Sequence, residues 1–260
     1  METVDLEKLH QLVLDCGQAV LNFQPKNVVV LSSVDDNMKT NLDIYANEMM
    51  TRGLRQILDI PVISEEDQDH SDGERPSIYW LIDPLDGTRS YLDGFKTYVT
   101  QAALISNSKP TVAAIYVPAL GELFTAVKGE GAYKNKRKIQ KLNKAVPESV
   151  IDNYPKPNTF LQNIMRDLSI TKYIECGSIA LKICRVSDGT ADLFIKNTRV
   201  HDWDVAPGEL ILSESGGKLG LVNGSGFEFR GKYRKESLLV TGSSDSFSKI
   251  SESISQHLNI

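Results

Sequence analysis

Leu6, Leu9, Leu12, Val13, Cys16, Ala19, Val20 and Phe23 recur every three or four residues, with polar residues between them. That spacing predicts a helix over residues 4–23 with one apolar face. Leu42, Tyr45, Ala46, Met49, Leu54, Ile57 and Leu58 repeat the pattern over 41–58, and Pro61 stops it. The period then shortens. PVIS (61–64) reads as a strand that runs into Glu65, Glu66 and Asp67. A polar loop, QDHSDGERPS (68–77), leads to a second apolar run, Ile78 to Ile82, which stops at Asp83. From 98 to 134 come YVTQAALIS, TVAAIYVP, ELFTAVKG and AYKN, with turn signals at Ser108-Lys109-Pro110 and Leu120-Gly121. Their β-branched and aromatic content predicts an antiparallel meander. The basic stretch KNKRKIQKLNK (134–144) reads as a solvated hairpin tip and linker, because no aromatic residues interleave its charges.

After residue 146 the rhythm changes. Helical patterns over 158–168, 178–188, 204–214 and 244–257 alternate with short strands such as KYIE, ADLFI and LLVT; Phe247, Ile250, Ile254 and Leu258 mark the last helix. This is α/β character. Two units are expected: 1–145, α+β, carrying most candidate ligands, and 146–260, α/β, carrying Asp204 and the substrate-selecting residues. Hydrophobic residues make up 41% and charged residues 24%, which is ordinary for a soluble protein. Net charge is −5, so neither a nucleic-acid polymer nor an anionic membrane is attracted wholesale, although a small anion is not excluded. No apolar run reaches the length of a membrane span, and the acid-containing start does not read as a signal peptide. Cys16, Cys176 and Cys184 lack zinc spacing and fit reduced cysteines in a cytoplasmic protein. A homodimer stays open, since a dimer face looks like any other apolar patch.

Four groups of acids stand at the ends of apolar elements: Asp43, then Glu65-Glu66, then Asp83 and Asp86, then Asp202 and Asp204 around Trp203. Each has an ordinary reading. Asp43 suits a helix cap, Asp204 an N-cap with Pro207 in the first turn, and Glu65-Glu66 a solvated loop. Together they suit an oxygen-only site for Mg²⁺ or Mn²⁺, because clustered carboxylates repel unless a cation lies between them. A two-carboxylate glycosidase also fits paired acids but leaves Gly87-Thr88 unexplained. In DPLDGT (83–88) Pro84 would stiffen a turn so that Asp83 and Asp86 face one ion, with the Leu85 carbonyl between them. Gly87 and Thr88 would then start a helix whose free amides suit a phosphate. A carboxylate metal site beside a phosphate cradle describes a phosphate-ester hydrolase.

SEED (64–67), WLIDPLDGT (80–88), WDVAPGELILSESGG (203–217) and Thr40-Asn41-Leu42-Asp43 occur in this order. The sequence thereby resembles the inositol monophosphatase superfamily. The resemblance implies a layered αβαβα sandwich, two or three Mg²⁺ ions and inhibition by lithium. It implies Glu65, Asp83, the Leu85 carbonyl, Asp86 and Asp204 as metal ligands, and Asp43, Glu65 and Thr88 as the groups that activate water. Within the superfamily, GLRQILDIPVISEED (53–67) and Lys182 in GSIALKIC (177–184) are similar to the bacterial 3′(2′),5′-bisphosphate nucleotidases. DGTRSYLDGF departs from that branch, and LSSVDDNMKT lacks the lysine that often lies upstream of the T-x-x-D element. The implied activity is hydrolysis of a small phosphorylated metabolite, 3′-phosphoadenosine 5′-phosphate, to AMP and phosphate. Gly87, Thr88, Gly177, Ser178 and Lys182 would contact substrate, the last three meeting its second phosphate. Lys182 also has an ordinary reading as a solvated helix residue. Inositol 1-phosphate hydrolysis is the alternative activity, and a regulatory binding protein that keeps the fold is the alternative of another class.

Overall fold

The computed structural model describes residues 4–34, 37–67, 74–141, 146–153 and 155–255. The N-terminal periodicity forms α1 (Leu6–Asn22) and α2 (Asn41–Ile57). Asp5 caps α1 through the Lys8 amide, and Thr40 caps α2 through the Leu42 and Asp43 amides. Between them lies a hairpin of β1 (Val30–Val34) and β2 (Asn37–Thr40) that the sequence pattern did not reveal. Val30 and Leu31 are both exposed, so the hairpin lacks the alternation that a half-buried strand would show.

Seven strands follow as one sheet in chain order: β3 (Val62–Ser64), β4 (Ile78–Asp86), β5 (Val99–Ser106), β6 (Lys109–Val117), β7 (Glu122–Val127), β8 (Gly131–Lys134) and β9 (Arg137–Lys138). β3 is parallel to β4, and every later pair is antiparallel, as the meander reading expects. A short helix, α3 (Thr88–Leu92), joins β4 to β5. The second half supplies β10 (Ser149–Asp152), β11 (Lys172–Glu175), β12 (Leu193–Lys196), β13 (Val200–His201), β14 (Lys218–Gly220), β15 (Arg234–Lys235) and β16 (Leu238–Thr241). Five of these make a second sheet in the order β11-β10-β12-β16-β14, while β13 and β15 pair as a small ribbon. Its helices are α4 (Thr159–Asp167), α5 (Ile179–Ser187), α6 (Asp202–Glu214) and α7 (Ser244–Ser255). Parts of three sequence readings, residues 68–73, 142–144 and 256–258, lie outside the described residues.

The layers follow from side-chain alternation. On β4, Trp80 and Ile82 join a core with Leu9 and Val13 of α1 and Leu42 and Ala46 of α2. Tyr79 and Leu81 point to the other face and join Ile183, Val205 and Leu210 of α5 and α6. The second sheet divides likewise. Ile151, Phe194 and Val240 belong to the α5/α6 core, and Val150, Leu193 and Leu239 to a third core with α4 and α7. The result is the expected αβαβα sandwich. The strands of the large sheet lie between Val62 and Lys138, and those of the small one between Ser149 and Thr241. Because α5 and α6 lie between the sheets, one core is common to both halves.

Two local expectations need correction. β4 does not stop at Asp83: Asp83 pairs with Gln101 and Asp86 with Val99, so the strand crosses a bulge at Pro84-Leu85 and continues. Proline fits there because a bulge leaves an amide unpaired. α6 starts at Asp202, so Asp204 is its third residue rather than its cap, and Pro207 lies in the second turn.

Gly17 of α1 tests the packing of the outer layer. A Cβ on it would lie 2.4 Å from Tyr116 Cδ1 and 2.8 Å from Pro118 Cγ. Alanine gains about 1 kcal/mol in helix propensity, but pushing two stiff rings apart costs about 1–3 kcal/mol. Gly17→Ala should therefore lower the midpoint of denaturant unfolding; a higher midpoint would show that the α1–sheet contact yields.

Candidate active site

The parallel register that sets Ser64 beside Ile82 brings the next residues, Glu65 and Asp83, to the same edge of the large sheet. The Glu65 amide donates to the Ile82 carbonyl at 3.2 Å. Asp204 reaches this edge from the first turn of α6. One carboxylate oxygen from each of Glu65, Asp83 and Asp204 lies within 4.8 Å of the others. Burial, then repulsion among the neighbouring acids, holds the Glu65 and Asp83 carboxyls well above the carboxylate range. Asp204 is pushed up to about 7, first by burial and next by Asp86. A hard divalent cation would relieve both penalties, and an all-oxygen donor set suits Mg²⁺ or Mn²⁺. The residues present fit such an ion.

Around this trio stand the other acids. Asp43 uses both its oxygens: Oδ2 accepts from the Thr40 amide (2.7 Å) and hydroxyl (2.5 Å), closing the α2 cap, while Oδ1 accepts from the Thr88 hydroxyl at 2.9 Å. The capping reading and the catalytic reading of Asp43 thus fall on different atoms. Thr88 Oγ1 also lies 3.1 Å from the Leu85 carbonyl. Gly87 between them has φ +94°, and a Cβ there would lie 3.1 Å from the Thr97 carbonyl; both argue for glycine. Asp86 accepts from Ser178 Oγ (2.6 Å) and the Ala180 amide (2.8 Å), so it is tied to the N-terminus of α5.

These residues line a cavity of about 700 Å³ that includes Glu65, Asp83, Leu85, Asp86, Gly87, Thr88 and Asp204. Among the lining residues that sequence reasoning did not assign, five have basic side chains: Lys39, Arg89, Lys196, Arg199 and His201. Lys39 bonds the Glu66 carboxylate at 2.7 Å and the Glu66 carbonyl at 2.9 Å. The reading of LSSVDDNMKT as lacking a lysine upstream of the T-x-x-D element passed over Lys39, which directly precedes Thr40 and lines the cavity. Lys196 ends β12, where a basic residue looks like any solvated strand terminus. The His201 ring stacks on Trp203 at 4.8 Å.

Gly177, Ser178 and Lys182 are not among the described lining residues. The Gly177 amide donates to Thr97 Oγ1, and Ser178 caps α5 through the Leu181 amide while holding Asp86. The Ala180 amide is committed to Asp86 and not free for a phosphate. Lys182 is neither solvated nor in the cavity. It is 1% exposed, with its ammonium 2.6 Å from Asn153 Oδ1, 3.5 Å from Asp152 and 5.0 Å from the Phe194 ring centroid. Its charge helps to restrain the rise in the Asp86 pKa that burial causes. Asp202 also leaves the acidic group, pairing with Arg75 at 2.6 Å.

Residues 6–258 match the inositol monophosphatase family. The chain is 30% identical to the 3′(2′),5′-bisphosphate nucleotidase CysQ of Buchnera aphidicola, over 86% of this chain and 87% of that one. It is also 30% identical to the Nus factor SuhB of Pasteurella multocida, over 75% of each. The solved Thermotoga maritima IMPase superposes with a TM-score of 0.81 at 22% identity, covering 97% of this chain and 98% of that one. Among the described residues no helix is long and apolar enough to cross a membrane.

The raised carboxyls make stability depend on pH and metal. An acid whose folded pKa lies above its unfolded value favours the folded state when protonated, and that contribution is lost as pH rises through the folded pKa. For Asp204 the window runs from 3.8 to about 7. In chelator, the melting temperature should fall as pH rises through this window, and Mg²⁺ should raise it more at the alkaline end. The fall should shrink in Asp204→Asn. An unchanged pH slope in that variant would remove Asp204 from the cluster.

Proposed function

Because the chain belongs to the inositol monophosphatase family, whose enzymes are metal-dependent phosphatases, we propose that it is a cytoplasmic, lithium-sensitive, Mg²⁺-dependent phosphomonoesterase acting on 3′-phosphoadenosine 5′-phosphate. The observation that carries the substrate reading is the pairing, in one cavity, of the acidic trio with Lys196 and Arg199. The acids suit the phosphate being cleaved, through their cations; the basic residues suit a second phosphate elsewhere on the molecule. Inositol 1-phosphate offers only neutral hydroxyls there. The nucleotidase name of relatives at about 30% identity supports the same choice.

Glu65, Asp83, the Leu85 carbonyl, Asp86 and Asp204 would hold the ions, which when bound neutralise the phosphoryl oxygens, activate water and stabilise the leaving alkoxide. The Thr88 hydroxyl donates a hydrogen bond to Asp43 Oδ1, so its lone pairs are left to accept from an attacking water. Thr88 and Asp43 then orient that water, with Glu65 as the acid nearest in role. Phosphoryl transfer requires positioning and charge neutralisation more than a protein nucleophile. The similarity to a Nus factor keeps a regulatory role in view. Every expected ligand position nonetheless carries a ligating group, which favours catalysis.

Excess chelator should abolish hydrolysis and Mg²⁺ should restore it. With Mg²⁺, the wild type should turn over 3′-phosphoadenosine 5′-phosphate with higher kcat/KM than inositol 1-phosphate. One charge-assisted contact is worth about 1.5–3 kcal/mol, so Lys196→Ala and Arg199→Ala should each reduce that ratio by about 10–150-fold. A wild type that prefers inositol phosphate would overturn the nucleotidase reading.

Asp86→Asn should lower kcat by about 10²–10³. The variant should stay folded, because the asparagine oxygen still accepts from the Ala180 amide. Unchanged kcat, checked beside an unchanged circular dichroism spectrum, would remove Asp86 from the site.

A further inference from the structure

Gln101 lies on β5 directly opposite Asp83. Residues opposed in an antiparallel pair project from the same face, with Cβ atoms about 4.5–5.5 Å apart. That face is the interior one, where Leu81 and Ala103 join the α5/α6 core. Gln101 is 0% exposed, and neither its carboxamide oxygen nor its nitrogen has a hydrogen-bond partner among the described residues. Methionine would fill the same space without leaving two polar atoms unsatisfied. A buried, unpartnered carboxamide beside a candidate metal ligand calls for a role that packing does not supply.

Besides the hydrogen bond that its carboxyl shares with the Glu65 carboxyl, Asp83 is held from within its own strand. Its Oδ1 accepts from the Leu85 amide at 3.0 Å, across the bulge. A carboxylate that binds a cation is ordinarily fixed by further hydrogen bonds, which set its rotamer and its basicity. We propose that Gln101 is a positioning residue for Asp83: its carboxamide N–H donates to one buried water, and that water donates to the Asp83 carboxylate, fixing the geometry in which Asp83 ligates a divalent cation. Buried waters gather where polar groups otherwise lack partners. Gln101 does not touch substrate; it acts through Asp83. The proposal rests on the reading of Asp83 as a metal ligand.

The test compares Gln101→Met, Gln101→Asn and Asp83→Asn with wild type, using thermal unfolding across a Mg²⁺ titration and Mn²⁺ binding followed by electron paramagnetic resonance. In chelator, Gln101→Met should melt above wild type, because its orphaned polar atoms are gone. The same variant should need about 10–100-fold more Mg²⁺ for half-maximal stabilisation and bind Mn²⁺ more weakly by a similar factor. Gln101→Asn, which retains the carboxamide, should recover part of the affinity. A Gln101→Met protein with shifted melting temperature and wild-type metal affinity would overturn the proposal, provided Asp83→Asn has lost affinity. Should Gln101→Met not fold, Gln101→Leu takes its place: weaker Mn²⁺ binding than in wild type and in Gln101→Asn would support the proposal, and wild-type Mn²⁺ affinity in Gln101→Leu would overturn it. Wild-type metal affinity in Asp83→Asn would instead overturn the metal reading of Asp83, and the Gln101 proposal with it.

Discussion

Buried like charges set the terms for this molecule. Glu65, Asp83 and Asp204 put carboxylate oxygens within 4.8 Å of one another at a place where burial already disfavours their charged forms. Such a group would drift apart on loops. Here each acid stands on a rigid element: the end of β3, the bulge of β4 and the first turn of α6. All three elements are anchored by apolar residues on at least one core face. The packing of the sandwich is what keeps the acids together, and a cation is what makes their proximity favourable.

The distribution of basic residues follows from the same constraint. Lys39 pairs with Glu66, Arg75 with Asp202 and Lys182 with Asp152. In each case the ammonium or guanidinium settles on the neighbour of a candidate ligand or on an acid outside the trio. Asp83 and Asp86 have no ion pair within 4 Å among the described residues. Had Lys39 reached Glu65 instead of Glu66, it would have competed for the ion. Asp86 is satisfied differently, by hydroxyl and amide donors at the start of α5. That clasp also ties the large sheet to the helical layer from the second half. The halves could not separate without exposing Asp86.

Most of the sandwich was legible because its elements are amphipathic on one period or the other. α1 and α2 carry the helical spacing, and the meander carries β-branched runs between turn residues. What escaped has a common cause. The β1–β2 hairpin buries too little to leave a pattern. Asp202 and Asp204 look equivalent in the sequence, but residues two apart on a helix face different sides, so one meets Arg75 and the other meets the site. Lys182 looks like a solvated helix residue or a phosphate contact. Its burial depends on Asn153, just past the end of β10, and on Phe194 of β12, roughly thirty and twelve residues away. No local pattern encodes that meeting. The bulge at Pro84-Leu85 is a further case, since the sequence signals a turn and only the partner strand turns it into continued pairing.

The two ends of the cavity were therefore unequally readable, for a physical reason. The phosphate-cleaving end must place several carboxylates, a hydroxyl and a left-handed glycine within a few ångströms. Few short sequences do that, so its motifs are long and specific. The other end needs only positive charge at a suitable reach, and Lys196 or Arg199 can supply it from a strand end or a loop. Many sequences satisfy so loose a demand, and no fixed spacing marks it. Reaction type is thus written into local motifs, whereas on the proposed reading substrate choice would rest on residues that only β12 and the segment before α6 bring beside the acids. If the proposed roles hold, a chain under such constraints would change the molecule it selects by altering one or two basic residues of the cavity lining, while the buried acids stay in place.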